Sequence, residues 1–224
     1  MPDAAQGLPA SLPTVAMLTV LSVVPAVLLM TTCFVRIVVV LGLLRQALGL
    51  SQLPPTQVVT ALALFMTLAV MRPVWTEVYD EAIAPYGDPE RKLPLDEAWR
   101  RGVQPVRAFM SRQIDAAGNS DDVWLFYQYS PESRSQPAPQ TYDDVPLTAL
   151  LPAFLLSELK VAFLLGFQLF LPFVVIDLVV ASITTSMGMV MLPPGLVSLP
   201  MKLMLFVLLD GWRLVVGMLL QSVA

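Results

Sequence analysis

The chain has no histidine and one cysteine, Cys33. Without histidine, Ser-His-Asp and Cys-His catalysis and every His-ligated metal site are excluded. With one cysteine there is no intrachain disulfide. Cys33 stands in an apolar run and reads as a plain buried thiol, not a reactive one. Charge is scarce too: 13% of the 224 residues are Asp, Glu, Lys or Arg, where soluble domains carry about a quarter. The net charge of -4 offers no basic footprint for nucleic acid. No G-x-x-x-x-G-K-[ST] run is present, so nothing resembles a nucleotide-binding loop. With few polar residues in the apolar runs, no convergent catalytic set emerges. The expectation is a protein that is not an enzyme and that needs no cofactor or metal.

What the chain has is apolar surface. Hydrophobic residues make up 56% of it, which puts it in the membrane class or among the obligate subunits of a large apolar complex. Met1 to Pro13 is short and lacks the positive charge of a signal n-region. The run Thr14 to Val35 is 22 residues without a charge. That is longer than a signal h-region and long enough to span a bilayer, so it reads as a retained helix. The first apolar stretch extends to Leu48 with Pro25 inside it. Arg36 and Arg45 fall near one helical face, as interfacial snorkelling arginines or as intersubunit contacts. Gly49 to Pro55 is a turn, and a second helix runs from Thr56 to about Met71.

Residues 72–148 are the one hydrophilic section, with eight basic and thirteen acidic side chains. Within it, Leu93 to Ala117 has a helical pattern, with Pro94 suited to a first turn and Asp96 and Glu97 to the positive end of the macrodipole. Gly102 and Pro105 are expected to divide it into two pieces. Residues 118–146 read as a loop with one aromatic patch of Trp124, Phe126, Tyr127 and Tyr129, packed on the protein's own helices or on a neighbour. Leu147 to about Ile183 is a third long helix, expected to be interrupted at Pro172, and Pro200 to Val223 a fourth. The expected organisation is an N-terminal helical hairpin over 1–72, a polar section over 73–147 and a C-terminal helical hairpin over 148–224.

The last segments carry charges and prolines that a simple lipid anchor would avoid. A charge in hydrocarbon costs several kcal/mol, and a proline inside a helix costs about 3 kcal/mol. Glu158 and Lys160 are two apart, do not face each other on a helix, and so need separate partners. Asp210 and Arg213 can pair locally, and Lys202 and Asp210 share a face two turns apart. Asp177 has no opposite charge near it in sequence, so its partner lies on another helix or another chain. These charges read as structural cross-links between helices. Met187, Met189 and Met191 precede the Pro193-Pro194 turn. Composition alone favours ordinary core methionines. Repeated around a ring of subunits, the same tip would make a soft apolar constriction.

With these segments laid out, the chain resembles the FliP family of type III secretion export-gate proteins, called SctR in injectisomes. The resemblance rests on FVRIVVVLGLLRQALG (34–49), LPPTQVVTALALFMT with MRPV (53–74) and QPVRAFMSRQ (104–113). It rests most strongly on PAFLLSELKVAFLLGFQLFLPFVVIDLVVAS (152–182), GMVMLPP (188–194) and SLPMKLMLFVLLDGW (198–212). It implies an all-α fold of membrane-associated kinked helical hairpins with a partly helical polar periplasmic section, assembling into a helical ring. A closed ring of about five copies would join FliQ-like and FliR-like subunits, meet FlhA- and FlhB-like export components and membrane lipid, and pass unfolded substrates. The implied place is the bacterial inner membrane, largely on its periplasmic side, at the basal body of the flagellum or injectisome. The family's methionine gasket maps onto Met189 and Met191, with Met187 beside them. Many members have three successive methionines where this chain has Met189-Val190-Met191. Glu158, Lys160, Asp177, Lys202, Asp210 and Arg213 would hold helices and subunits in register. Arg36, Arg45, Phe109 and Phe126 are candidate subunit contacts. A rival reading from another class is a polytopic small-solute permease with Asp177 and Lys202 as midplane ligands.

Overall fold

The computed structural model describes residues 11–50, 53–87, 93–134, 139–189 and 193–223. Among these residues, regular secondary structure is helical throughout. In chain order it comprises α1 (Ser11–Met30), α2 (Phe34–Ala47), α3 (Thr56–Gly87), α4 (Leu95–Ala116), α5 (Ser120–Tyr127), α6 (Leu147–Ser186), α7 (Pro194–Leu208) and α8 (Gly211–Gln221). Helix α3 carries a π-helical stretch over Tyr79–Ile83.

The prolines do not mark the breaks. Pro25, Pro73, Pro105, Pro152, Pro172 and Pro200 all lie inside helices. The expected interruption at Pro172 is therefore corrected: α6 runs unbroken for 40 residues. Its turns on either side of Pro172 are held from outside. Gly166 lies against Leu43 of α2, and Phe173 packs on Phe206 of α7 with ring centroids 6.5 Å apart. Contacts on both flanks offset the one hydrogen bond that proline removes. Gly102 and Pro105 likewise leave α4 whole. Gly102 serves close approach instead, since a Cβ there would lie 3.1 Å from Ala82 of α3.

The real breaks fall where side chains compete with the helix ladder. Between α1 and α2 the direction changes by 71°. There the hydroxyls of Thr31 and Thr32 donate to the carbonyls of Leu28 and Leu29 at 2.9 and 2.8 Å, and Thr32 Oγ1 accepts from the Phe34 amide. Threonine hydroxyls that satisfy backbone groups locally offer the chain an exit from the helix. The second break, 66° between α7 and α8, falls at Leu209 and Asp210. Asp210 is left-handed with φ 50°, a conformation that short polar side chains tolerate better than bulky ones. Gly211 follows with no room for a side chain, because a Cβ would meet the Phe206 ring at 2.3 Å. The expected single helix from Pro200 to Val223 is therefore two.

Helix α6 is the spine. At 1.5 Å per residue its 40 residues reach about 60 Å, roughly twice the thickness of a hydrocarbon layer. Its first half packs on α2, α4 and α5 and its second on α7. The core lies in the first half, where Ile37, Val40 and Leu44 of α2 meet Phe109 and Ile114 of α4, Leu150, Ala153 and Phe154 of α6, and Leu219 of α8. The segment 118–146, expected to be a loop, contains α5. Val123 and Tyr127 turn inward there and join this core, while Trp124 and Tyr129 face out. From its middle onward α6 keeps one side bare, with Leu164, Phe167, Leu171, Val175 and Leu178 exposed along it. Helices α3 and α6 are long and apolar enough to cross a membrane, and the bent pairs α1–α2 and α7–α8 raise the number of candidate spans from two to four.

Candidate gate tip and its charge clamps

Three polar clamps tie the helices that carry the methionine tip. In the first, Arg36 of α2 meets Glu158 of α6. Nε donates to Oε2 at 2.9 Å and Nη2 to Oε1 at 2.5 Å. Both side chains are sealed, with residue exposures of 1% and 0%. Nη2 also donates to Gln113 Oε1 of α4 at 2.9 Å, and Nη1 donates to the Ser222 carbonyl. Gln113 in turn donates from Nε2 to the Val223 carbonyl at 2.9 Å. One guanidinium thus joins α2, α4, α6 and the end of α8. The fixed fork of donors on arginine suits two-point pairing with a carboxylate.

In the second clamp, Lys160 donates to Asp122 Oδ1 of α5 at 2.6 Å, and Asn119 donates to Ser157 Oγ at 2.9 Å. Glu158 and Lys160 therefore serve two different neighbours of α6, as their spacing requires.

The third clamp closes the α6–α7 hairpin. Lys202 Nζ donates to Asp177 Oδ2 at 2.6 Å and to the Ala47 carbonyl at 3.0 Å. Ser198 Oγ donates to Asp177 Oδ1 at 2.6 Å. Ala47 is the last residue of α2, so the buried ammonium satisfies an orphan carbonyl at the negative end of that helix. Asp177 finds its partner within the chain, on α7.

Beyond this clamp the hairpin carries its methionines. Met187 caps α6 and is 66% exposed, Gly188 turns with φ 73°, and Met189 is 40% exposed. Met191 lies outside the described residues. Pro193 and Pro194 start α7, where proline suits the first turn. The two described methionines are surface residues within one protomer and not members of its core.

The other candidate residues divide. Arg36 is sealed inside the chain, where it neither snorkels nor reaches a neighbour. Phe109 is a core residue, 4% exposed and edge-on to Phe154, and Phe126 packs half-buried against the same core. Asp210 and Arg213 are both exposed, and among the described residues no ion pair joins them. Gln113, Asp122, Ser198 and the Ala47 carbonyl were not predicted as partners. Asp122 lies in a stretch whose composition reads as a loop, and a helix-end carbonyl leaves no mark in composition.

The polar section has its own lock. Arg107 Nη1 donates to the carbonyls of Tyr142 and Val145 at 2.8 and 2.6 Å. Partial burial and a hydrogen bond to Asp115 push the Tyr142 phenol well above its ordinary value. Hydrogen bonds from the Thr141 hydroxyl and backbone hold the Asp144 carboxyl below the usual carboxylate value.

Known proteins match this chain in sequence over nearly its whole length. The FliP family model covers residues 17–219. The flagellar biosynthetic protein FliP of Caulobacter vibrioides is 52% identical over 208 residues, which is 93% of this chain and 74% of that protein. That of Bacillus subtilis is 47% identical over 206 residues, 92% of this chain and 89% of that protein. That of Pectobacterium carotovorum is 47% identical over 222 residues, 99% of this chain and 82% of that protein. Identity of this level over nearly the full length leaves one reading: the chain belongs to the FliP family.

Proposed function

We propose that the tip between α6 and α7 is the seal of a protein-conducting channel, formed when several copies of the chain close into a ring. Membership of the FliP family makes the chain a non-enzymatic component of the flagellar type III export gate and places it in the membrane of the flagellar apparatus. The observation that carries the sealing role is the hairpin end itself: Met187 and Met189 are exposed beyond the clamp in which the buried Lys202 meets Asp177. A rigid stem with an unbranched, polarizable thioether tip suits a soft closure that yields to a passing chain. Met191 completes the set.

In this reading about five copies close the ring through heterologous contacts, with FliQ-like and FliR-like subunits, and FlhA- and FlhB-like components deliver unfolded substrate. The exposed apolar sides of α6 and α7 face sister subunits and lipid. The polar section 73–147 lies on the periplasmic side of the inner membrane, and Asp210 and Arg213, in no ion pair among the described residues, reach partners across subunit boundaries. The permease alternative requires Asp177 and Lys202 as ligands for a solute, whereas they are joined to each other, to Ser198 and to the end of α2.

The test is conductance. Replacing Met187, Met189 and Met191 together with alanine in the reconstituted complex should raise ion leakage through the resting gate without loss of assembly. Unchanged leakage in an assembled variant overturns the sealing role.

A further inference from the structure

Helices α2, α3 and α8 enclose part of a crevice away from the methionine tip. It has a volume of about 180 Å³, and Leu44 and Leu48 of α2, Val58 and Leu62 of α3, and Trp212 of α8 line it. Its charged lining residue is Arg45, half-buried in the last turn of α2. Arg45 Nη1 donates to Thr56 Oγ1 at 3.1 Å and more weakly to the Pro54 carbonyl at 3.5 Å. Among the described residues no carboxylate lies within ion-pairing distance of it, in contrast to Arg36. The stem of Arg45 is fixed along an apolar wall while Nε and Nη2 keep donors in hand. Trp212, 42% exposed, stands at the same site.

We propose that this crevice holds one acyl chain of an anionic phospholipid, with the lipid phosphate on the Arg45 guanidinium. Charge complementarity fixes the headgroup end, because arginine offers a planar fork matched to phosphate oxygens. The crevice opens to the surface and its lining is almost wholly aliphatic and aromatic, so it suits a hydrocarbon segment better than a hydrated ion. Tryptophan and arginine at one level are the side chains that anchor at a membrane interface. Leu53 and Val58, both exposed beside the turn, extend the apolar surface for the rest of the chain.

The experiment is lipid retention by the intact assembled complex, purified from nanodiscs of equal parts phosphatidylglycerol and phosphatidylcholine and measured by native mass spectrometry. Phosphatidylglycerol should be enriched roughly five-fold, the share one basic side chain contributes at an anionic surface. Arg45→Gln should abolish the enrichment, and Arg45→Lys should keep most of it. Val58→Trp, which fills the crevice and leaves the cation in place, should abolish it as well. Equal retention of both lipids by the unaltered complex overturns the proposal. So does enrichment that survives Val58→Trp, or displacement of the lipid by glycerol phosphate alone, because either would make the site one for phosphate without a chain. A cross-link from residue 58 to a sister subunit in the lipid-replete complex would assign the crevice to protein and overturn it too.

Discussion

Arg36 and Glu158 lie 122 positions apart in sequence and form a two-point ion pair from which solvent is excluded. The pair sets the register of α2 against α6, and Gln113 and the carbonyls of Ser222 and Val223 complete its hydrogen bonding. Glu158→Ala leaves a buried guanidinium without its counter-charge, a change that costs about 3–5 kcal/mol. The expected outcome is loss of folded protein in membranes, read as protease sensitivity and low yield. Replacing both partners with apolar residues of similar volume, Arg36→Met with Glu158→Leu, should recover much of that loss. If the double variant is as unstable as the single one, the pair is not acting as a coupled unit.

The α6–α7 clamp is asymmetric. Lys202 is 5% exposed, whereas the Asp177 side chain keeps 40% of its surface in contact with the surroundings. Asp177→Ala strands the buried ammonium on one carbonyl and should cost about 3 kcal/mol. Lys202→Met leaves a carboxylate that still accepts from Ser198 and reaches the outside, so about 1–2 kcal/mol is expected. Thermal unfolding of both variants in one detergent checks the order, and equal losses would contradict the burial argument.

Gly166 of α6 makes room for the Leu43 side chain of α2. A Cβ there would lie 2.2 Å from Leu43 Cδ1. Gly166→Ala should destabilise by about 1–3 kcal/mol, as overpacking does. Adding Leu43→Ala should return most of the loss, and a double-mutant cycle in unfolding free energy reads the coupling. Additive losses would mean that the two positions do not meet.

The polar section should loosen at both ends of the pH scale. The Asp144 carboxyl is held low, so its contribution to the 140–145 turn is complete above the ordinary carboxylate value of about 4 and disappears as pH falls through the lower folded value. The Tyr142 phenol is pushed up, so its contribution is complete below the ordinary value of about 10 and is lost as pH rises beyond it. Hydrogen exchange at Tyr142 to Val145 should quicken in both directions from neutrality. Asp144→Asn should remove the acid-side change alone.

Part of the charge pairing is legible in the sequence and the hinges are not. Spacing alone separates the partners of Glu158 and Lys160 and sends Asp177 to another element, because helix geometry fixes which residues can meet. The breaks are harder to foresee. Proline has a known local penalty, yet Pro172 and Pro105 sit in unbroken helices because tertiary contacts hold the turns around them. The bends occur instead at Thr31 and Thr32 and at Asp210, where side-chain hydrogen bonds and one left-handed residue decide the direction. The partners of Arg36 come from α4, α6 and the end of α8, and no local pattern connects such distant positions. Within α2 alone, Arg36 has the pattern of a surface arginine. The methionine tip was visible as a motif, but only the fold separates it from the core.

Native mass spectrometry of the complex extracted with lipid tests the central claim most directly, that these bare apolar helices are completed by sister copies. A ring-sized assembly of about five protomers, with smaller partner subunits attached, is the result expected. A stable solitary protomer that spans the bilayer, with the exposed faces of α6 and α7 covered by lipid alone, would contradict it.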